Sequence, residues 1–320
     1  MHDLAYIASF LQARDGYTII SHVSPDGDTL GSSLALYCAL LKLGKRVQVV
    51  CENSVPAVYR FLPHTQDVLK PDAAEKLPHV ICVDCAAKDR LGAALPIFNA
   101  AAHSINIDHH MTNTAYANDN CIRDTAATGE IIFDLLSMLN LLDVQSATCL
   151  YTAIVTDTGN FAYGNTTADT LRKAAELMEE GADNVLINRC VYRSVPLRKL
   201  CLLRTALASL QLYEDDRIRM ICITQKDLEE AGASSEDVEG IIDHVRDIES
   251  VEIAVMVRES SLKNTAKISL RSKKYADVSS IAKAMDGGGH KHAAGYTDHG
   301  ALDEVYERVR SAVQQLLKEA

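Results

Sequence analysis

What this 320-residue sequence lacks narrows its function before any motif is read. It has no surplus of positive charge: 32 Lys plus Arg stand against 43 Asp plus Glu, a formal net charge of −11. Gripping a long nucleic acid by counterion release needs a basic surface, so a long duplex is excluded as a partner. A small anionic ligand held in one local pocket is not. The sequence has no long apolar run either; the longest, Leu34 to Leu41, is far short of a membrane span. The start, Met-His-Asp-Leu-Ala-Tyr, has no basic segment ahead of an apolar one, so no signal peptide is expected. Internal repeats and low-complexity tracts are missing as well. A disulfide framework is not expected, because the nine cysteines are odd in number, irregularly spaced and mostly within apolar runs. Cys82 and Cys85 form the one CxxC, without a second pair to complete a zinc site, and their segment reads as a buried strand. These absences describe a soluble cytoplasmic protein with reduced thiols and no membrane partner.

The 48% hydrophobic content excludes a disordered, collagen-like or heptad-only chain. The length is about twice that of a typical domain, so two domains are expected. Strand and helix patterns alternate over the first part. Tyr17–Val23 leads into Ser24-Pro-Asp-Gly-Asp28 and a helix over Thr29–Leu43, stopped by Gly44. Strands follow at Arg46–Cys51, His79–Asp84 and Ser104–Ile107, then helices over 128–141, 146–156 and 167–180. The alternation predicts an α/β fold, a mainly parallel sheet flanked by helices, over residues 1–185. Residues 186–212, with Pro196 at a junction, read as a helical connector. A smaller α/β domain over 213–320 is then expected. Its strands are Arg217–Ile223, Val251–Arg258 and Thr265–Arg271, its helices lie at 225–231, 235–247, 277–285 and 302–319, and Gly287–Gly295 is a Gly-rich loop.

Four segments place Asp or His where an apolar element ends: His22 with Asp26 and Asp28, Asp84, Asp108-His109-His110, and Asp157 in Thr-Asp-Thr-Gly159. Taken singly, each has an ordinary explanation. Pro-Asp-Gly is a turn signal, Asp84 could cap the next segment, Asp157 could close a helix, and the His pair could be a satisfied surface pair. Three of the four follow predicted parallel strands, however, and ligands bind at the carboxyl edge of open α/β sheets. Carboxylates gathered there raise one another's pKa unless cations neutralise them. Two divalent metal ions would do so. Asp/His ligation suits Mn²⁺, Zn²⁺, Fe²⁺ or Mg²⁺, and without thiolate ligands Mn²⁺ is favoured. Such a pair activates water and stabilises phosphoryl charge, the arrangement for hydrolysing phosphate esters. In the second domain, Gly287-Gly288-Gly289 lets backbone N–H groups approach an anion. His290 can donate to a phosphate or stack on a base, and Arg271 can fork onto phosphate oxygens.

These motifs resemble those of the DHH phosphoesterase family with its associated DHHA1 domain. They stand as His22-Val-Ser-Pro-Asp-Gly-Asp-Thr-Leu-Gly-Ser32, Val83-Asp84, Asp108-His-His110, Thr156-Asp-Thr-Gly159 and Gly287-Gly-Gly-His-Lys-His-Ala-Ala-Gly295. The resemblance implies two Mn²⁺ ions, one on His22, Asp26 and Asp84, the other on Asp28, Asp84, His109 and Asp157, with Asp84 bridging. Asp108 would orient the motif and His110 would act beside the reacting phosphate. Arg271, Ser272 and the Gly288, Gly289, His290 segment would bind the substrate's phosphate and terminal nucleotide. His292 falls at a variable motif position and receives no role.

The compact two-domain layout resembles the family's short-RNA exonucleases, the nanoRNases, which also dephosphorylate 3′-phosphoadenosine 5′-phosphate. The implied substrates are short oligonucleotides or linear dinucleotides of the pApA type, yielding nucleoside 5′-monophosphates. Cyclic di-AMP hydrolysis is one alternative, and a non-catalytic nucleotide sensor is another. A homodimer formed through the first domain is a further family-level expectation.

Overall fold

The computed structural model describes residues 3–214 and 216–319. It divides into two compact units, one ending at Ser194 and the other beginning at Val195. The first unit runs α1 (Leu4–Ala13), β1 (Tyr17–Ser21), α2 (Gly27–Lys42), β2 (Val47–Val50), β3 (Val68–Leu69), β4 (His79–Val83), α3 (Leu95–Ala100), β5 (His103–Asp108) and β6 (Asp119–Ile122), followed by α4 (Thr128–Leu139), α5 (Val144–Asp157), α6 (Ala168–Glu179) and α7 (Asn184–Tyr192). Its six strands are parallel in the order β3-β2-β1-β4-β5-β6. Continuous burial along β1 reflects a strand covered on both faces. The chain winds outward from β1 to β3, then returns to place β4 on the other side of β1. The direction of winding therefore reverses between β1 and β4, and a crevice opens at their carboxyl ends. His22 follows β1 and Asp84 follows β4, so both stand at that reversal.

Three helices meet above this edge through residues that lack bulk. A Cβ on Gly27 of α2 would fall 2.3 Å from Thr156 Oγ1 of α5, and one on Gly31 would fall 2.4 Å from the Cys149 carbonyl. A Cβ on Gly129 of α4 would come within 2.7 Å of Ala153 Cβ. The glycines let α2 and α4 lie directly on α5, which brings Asp157 at the end of α5 to the start of α2. Around this junction Leu30, Leu34, Ile131, Leu135, Leu150 and Ile154 are fully buried.

The second unit contains α8 (Leu197–Ala208), β7 (Gln211–Tyr213), β8 (Ile218–Ile223), α9 (Gln225–Ala231), α10 (Ile241–Arg246), β9 (Ile253–Glu259), β10 (Thr265–Ser272), α11 (Ser279–Ala284), β11 (Gly288–His290), β12 (Ala293–His299) and α12 (Leu302–Glu319). Its sheet order is β11-β12-β10-β9-β8-β7, antiparallel except for β8 with β9. Val305, Val309, Val313 and Leu317, at helical spacing on α12, pack on one face with Ile268, Leu270 and Tyr296. On the other face Ile241, Ile242 and Val245 of α10 pack with Ile221, Ala254 and Met256. β9 is buried along both faces of its first five residues, whereas β10 and β12 alternate between buried and accessible positions. One face of β10 and β12 is therefore open.

Several elements differ from those expected. The boundary between units falls inside the segment read as a connector: α7 belongs to the first unit and α8 packs into the second. The Gly-rich segment read as a loop is instead strand β11, joined to β12 by Lys291 and His292, with Gly288 opposite Gly295. Its register is set by pairing with β12, because glycine carries no side-chain alternation. The expected helix over 235–247 shortens to α10, with Gly240 in a left-handed conformation at its start (φ 78). The nine cysteines are all free thiols. Among the described residues, no helix is long and apolar enough to cross a membrane.

Gly31→Ala places a methyl group against the Cys149 carbonyl. It is expected to destabilise the first unit by about 1–3 kcal/mol, the usual cost of overpacking. Urea denaturation followed by far-UV circular dichroism checks this through a lowered midpoint.

Candidate metal centre

Each acidic residue at the crevice is fixed by backbone that surrounds it. Asp26 is the N-cap of α2, with Oδ1 accepting from the Thr29 N–H at 3.0 Å, so Oδ2 remains free. Asp28 lies in the first turn of α2 and is completely buried. It accepts from the Thr128 N–H (2.7 Å), the Gly129 N–H (2.9 Å) and Ser32 Oγ (3.0 Å). The first two donors are unpaired N–H groups at the start of α4, where a helix favours negative charge. Asp84 is 3% exposed and holds a positive φ of 57°, a conformation that is strained for a side chain other than glycine. Thr128 Oγ1 donates to its Oδ1 at 3.0 Å.

The imidazoles are held with equal care. His109 Nδ1 lies 3.1 Å from the Thr125 carbonyl, which assigns its proton to Nδ1 and leaves Nε2 bare. His22 Nδ1 lies 2.7 Å from the Val23 carbonyl. Arg90 Nη2 stands 3.0 Å from the same nitrogen and is its partner only when the proton moves to Nε2. In the first tautomer both rings direct a lone pair at carboxylates. His22 Nε2 is 3.7 Å from Asp26 Oδ2 and 3.5 Å from Asp84 Oδ2. His109 Nε2 is 3.9 Å from Asp28 Oδ2, 3.7 Å from Asp84 Oδ1 and 3.6 Å from Asp157 Oδ2.

These separations are too long for hydrogen bonds. They suit pairs of donors around one ion that lies about 2.0–2.2 Å from each. Three groups of donor atoms have the required closeness: His22, Asp26 and Asp84; Asp28, His109 and Asp157; and Asp84, His109 and His110. A backbone carbonyl fixing the far nitrogen of each ring is the support that metal-ligating histidines ordinarily have. The donor set therefore fits divalent cations. All six residues expected as ligands stand together.

The electrostatics of the bare cluster agree. Burial and the charges of Asp84, Asp157 and Asp26 push Asp28 well above the usual carboxylate range. Burial, partly offset by His109 and reinforced by Asp84, raises Asp157 to about 6. Burial opposes charge on His22, yet Asp26 and Asp84 raise its imidazole to about 10. Without cations the cluster keeps protons to limit its own repulsion. Beside it, His110 Nδ1 donates to Asp108 Oδ1 at 2.8 Å, and this bond raises His110 despite burial. Asp108 is fully buried. Burial works against its charge, but the bonds from His110 and Asn113 hold it below the usual range.

In the second unit, Arg271 Nη1 donates to the Leu270 carbonyl at 3.1 Å and Nε lies 3.6 Å from Asp243. Ser272 is 3% exposed. Its hydroxyl donates to the Ala276 carbonyl at 2.7 Å and accepts from His292 Nδ1 at 2.9 Å, so the hydroxyl proton is committed inside the fold. A Cβ on Gly287 or Gly289 would fall 2.4 Å from the Gly295 or Ala293 carbonyl, whereas one on Gly288 would meet open space. Two of the three glycines therefore answer to close pairing with β12. Gly288 leaves a bare, exposed backbone beside the exposed His290.

A carboxylate–imidazole cluster at the winding reversal of a parallel sheet puts the chain among α/β proteins with a candidate divalent-metal site at the sheet's carboxyl edge. Comparisons with known proteins make the assignment specific. The model of the DHH family, N-terminal domain, matches residues 17–154, and that of the DHHA1 domain matches residues 219–319. The chain is 35% identical to the bifunctional oligoribonuclease and PAP phosphatase NrnA of Thermus thermophilus, over 98% of this chain and 94% of that protein. Identity to the Bacillus subtilis protein of the same name is 25%, over 93% of each chain. The structure of an exopolyphosphatase-related protein from Bacteroides fragilis superposes with a TM-score of 0.91 at 28% identity, covering 98% of this chain and 97% of that one. The protein belongs to the DHH family of phosphoesterases, with a DHHA1 domain as its second unit.

Sequence reasoning missed the supports. Thr128 and Gly129 were legible as a helix start, but not as donors to an aspartate a hundred residues earlier. Ser32 closes the first motif but was given no role as a donor to Asp28, and Arg90 and Asn113 carry no motif signal at all.

In the metal-free protein, Asp28 and Asp157 bind protons more tightly folded than unfolded. The contribution of Asp157 to stability is complete below about pH 4 and is lost as pH rises through about 6, its folded value, and that of Asp28, also raised, is lost in the same direction as pH rises. His22 loses its contribution above this, as pH rises through about 10. Metal binding displaces these protons and so strengthens with pH. Differential scanning fluorimetry of chelated protein with and without Mn²⁺ should show a larger metal-induced rise in Tm at pH 7.5 than at pH 5. An equal rise at both would contradict the cluster as the metal site.

Proposed function

We propose that the protein is a two-metal phosphodiesterase that cleaves short RNA oligonucleotides and linear dinucleotides of the pApA type to nucleoside 5′-monophosphates. 3′-Phosphoadenosine 5′-phosphate is a further substrate. The observation that carries this reading is Asp84, whose Oδ2 faces His22 Nε2 and whose Oδ1 faces His109 Nε2. One carboxylate thus stands between two donor groups, as a bridge would. His22, Asp26 and Asp84 would hold one ion, and Asp28, His109, Asp157 and the same Asp84 would hold the other, with Mn²⁺ favoured by the absence of thiolate donors. Bound there, the ions supply an acidified water and neutralise charge on the phosphoryl oxygens.

The chain's own residues do the rest. His110 acts as the general acid, giving a proton from Nε2 to the departing oxygen; its bond from Nδ1 to Asp108 supports this reading by favouring the charged ring. The closed Asp108 pair prevents the ring from turning. Arg271 forks onto a substrate phosphate, and the Gly288–Gly289–His290 edge offers backbone N–H groups and an imidazole to the terminal nucleotide. Ser272 contributes from behind by holding the His292 ring. The names of the Thermus and Bacillus relatives support this substrate class. The acidic net charge also suits a short ligand bound in one pocket.

Turnover of pApA, short RNA, cyclic di-AMP and 3′-phosphoadenosine 5′-phosphate with Mn²⁺, compared by kcat/KM, tests the reading; binding of pApA without release of AMP would point to a sensor instead. Asp84→Ala is expected to lower kcat by at least about a thousandfold and reduce bound metal below two equivalents by mass-spectrometric metal analysis, given the share of the barrier that such ions carry. His110→Gln should lower kcat about 10²–10⁴-fold while KM and metal content stay near wild type. A change confined to KM would remove its role in proton transfer.

A further inference from the structure

The open face of the second unit carries a feature that hydrolysis at the metal centre does not use. Lys267 on β10 lies directly across from Arg258 on β9 and, on its other side, from Thr297 on β12. Like charges placed opposite each other across a ladder destabilise a sheet. Neither cation takes part in an ion pair among the described residues. Arg258 donates only to the Ser235 carbonyl, at 3.3 Å, and burial works against its charge. Glu239 lines the same cavity without pairing with either. The cavity has a volume of about 480 Å³, within the range of small-molecule sites.

The same cavity includes Arg271, four residues further along β10 and therefore on the same face. Four residues of strand span about 13 Å. Between the two cationic positions lies the row Met256–Ser269–Gly295, one residue each from β9, β10 and β12. A Cβ on Gly295 would fall 2.8 Å from the Ile268 carbonyl, so this row stays low. The face thus presents cation, flat floor and cation in succession, the pattern of a short single strand with phosphates at both ends and a base lying between them.

We propose that Arg258 and Lys267 form a second phosphate seat, which holds a phosphate of the substrate strand beyond the one bound by Arg271. Their mutual repulsion is relieved when that phosphate sits between them. The seat rests on the reading of the chain as an oligonucleotide phosphodiesterase and makes it favour strands longer than a dinucleotide.

The test combines fluorescence anisotropy of fluorescein-labelled tetra-adenylate on chelated protein with Mn²⁺ turnover of pApA and pApApApA. Lys267→Glu is expected to weaken tetra-adenylate binding about tenfold. It should also flatten the slope of log Kd against log salt by about 0.7 for each phosphate that the variant no longer neutralises. The ratio of kcat/KM for pApApApA over pApA should fall about tenfold, through KM. Lys267→Arg should keep the wild-type binding and ratio. Unchanged binding in Lys267→Glu, or an equal loss on both substrates, would overturn the seat. Salt-dependent tetra-adenylate binding by a wild-type protein that hydrolyses neither substrate would count against the phosphodiesterase reading alone and leave the seat standing.

Discussion

Carboxylates packed together repel, and the first unit is organised around keeping them together anyway. Asp28 and Asp84 are almost wholly buried, and Asp26 and Asp157 complete a group whose donor atoms lie within a few ångströms of two imidazoles. Nothing in an apolar interior favours such a gathering. It persists because each member is tied down from outside: Asp28 by the start of α4, Asp26 by its own capping bond, Asp84 by Thr128 and by its backbone bond to the Ile107 carbonyl. The positive φ of Asp84 belongs to the same constraint, since it turns the carboxylate off the end of β4 and into the crevice.

The packing of α2, α4 and α5 follows from this requirement. Asp28 can receive N–H groups from α4, and Asp157 can reach the same space, only if the three helices approach at backbone distance. Gly27, Gly31 and Gly129 supply that approach, and each stands where a methyl group would collide with a neighbour. What reads locally as weak helix propensity at three glycines is thus the condition for the site. The sheet contributes the other half by reversing its winding between β1 and β4, which sets His22 beside Asp84.

The parts of this arrangement visible in the sequence were those written in residue type at element ends. His22, Asp26, Asp28, Asp84, His109, His110 and Asp157 fall into groups of closely spaced donor atoms, and they could be singled out because a strand boundary and the polar residue after it can be read together along the chain. The parallel sheet was legible through alternation of strands and helices. Short or glycine-borne elements were not. β3 has two residues, and β11 is Gly-Gly-His, with no side-chain pattern to announce a strand. The division of labour in Ser272-Lys-Lys and Gly287–Gly295 was also hidden. Ser272 looked like a substrate-binding residue, yet its hydroxyl is used inside the fold, a fact that depends on a loop twenty residues away. Donors such as Thr128 and Arg90 escape for the same reason: their significance lies in what the fold brings beside them.

The ties that hold the acidic side chains have a consequence for ion choice. Asp26 spends one oxygen on its helix and keeps the other for the crevice, while His22 and His109 each anchor one ring nitrogen to a main-chain carbonyl. The donors are fixed before any ion arrives, as in a macrocyclic chelator rather than a flexible one. A cation held by such a shell would be selected by ionic radius, because the shell cannot shrink around a smaller guest or spread for a larger one.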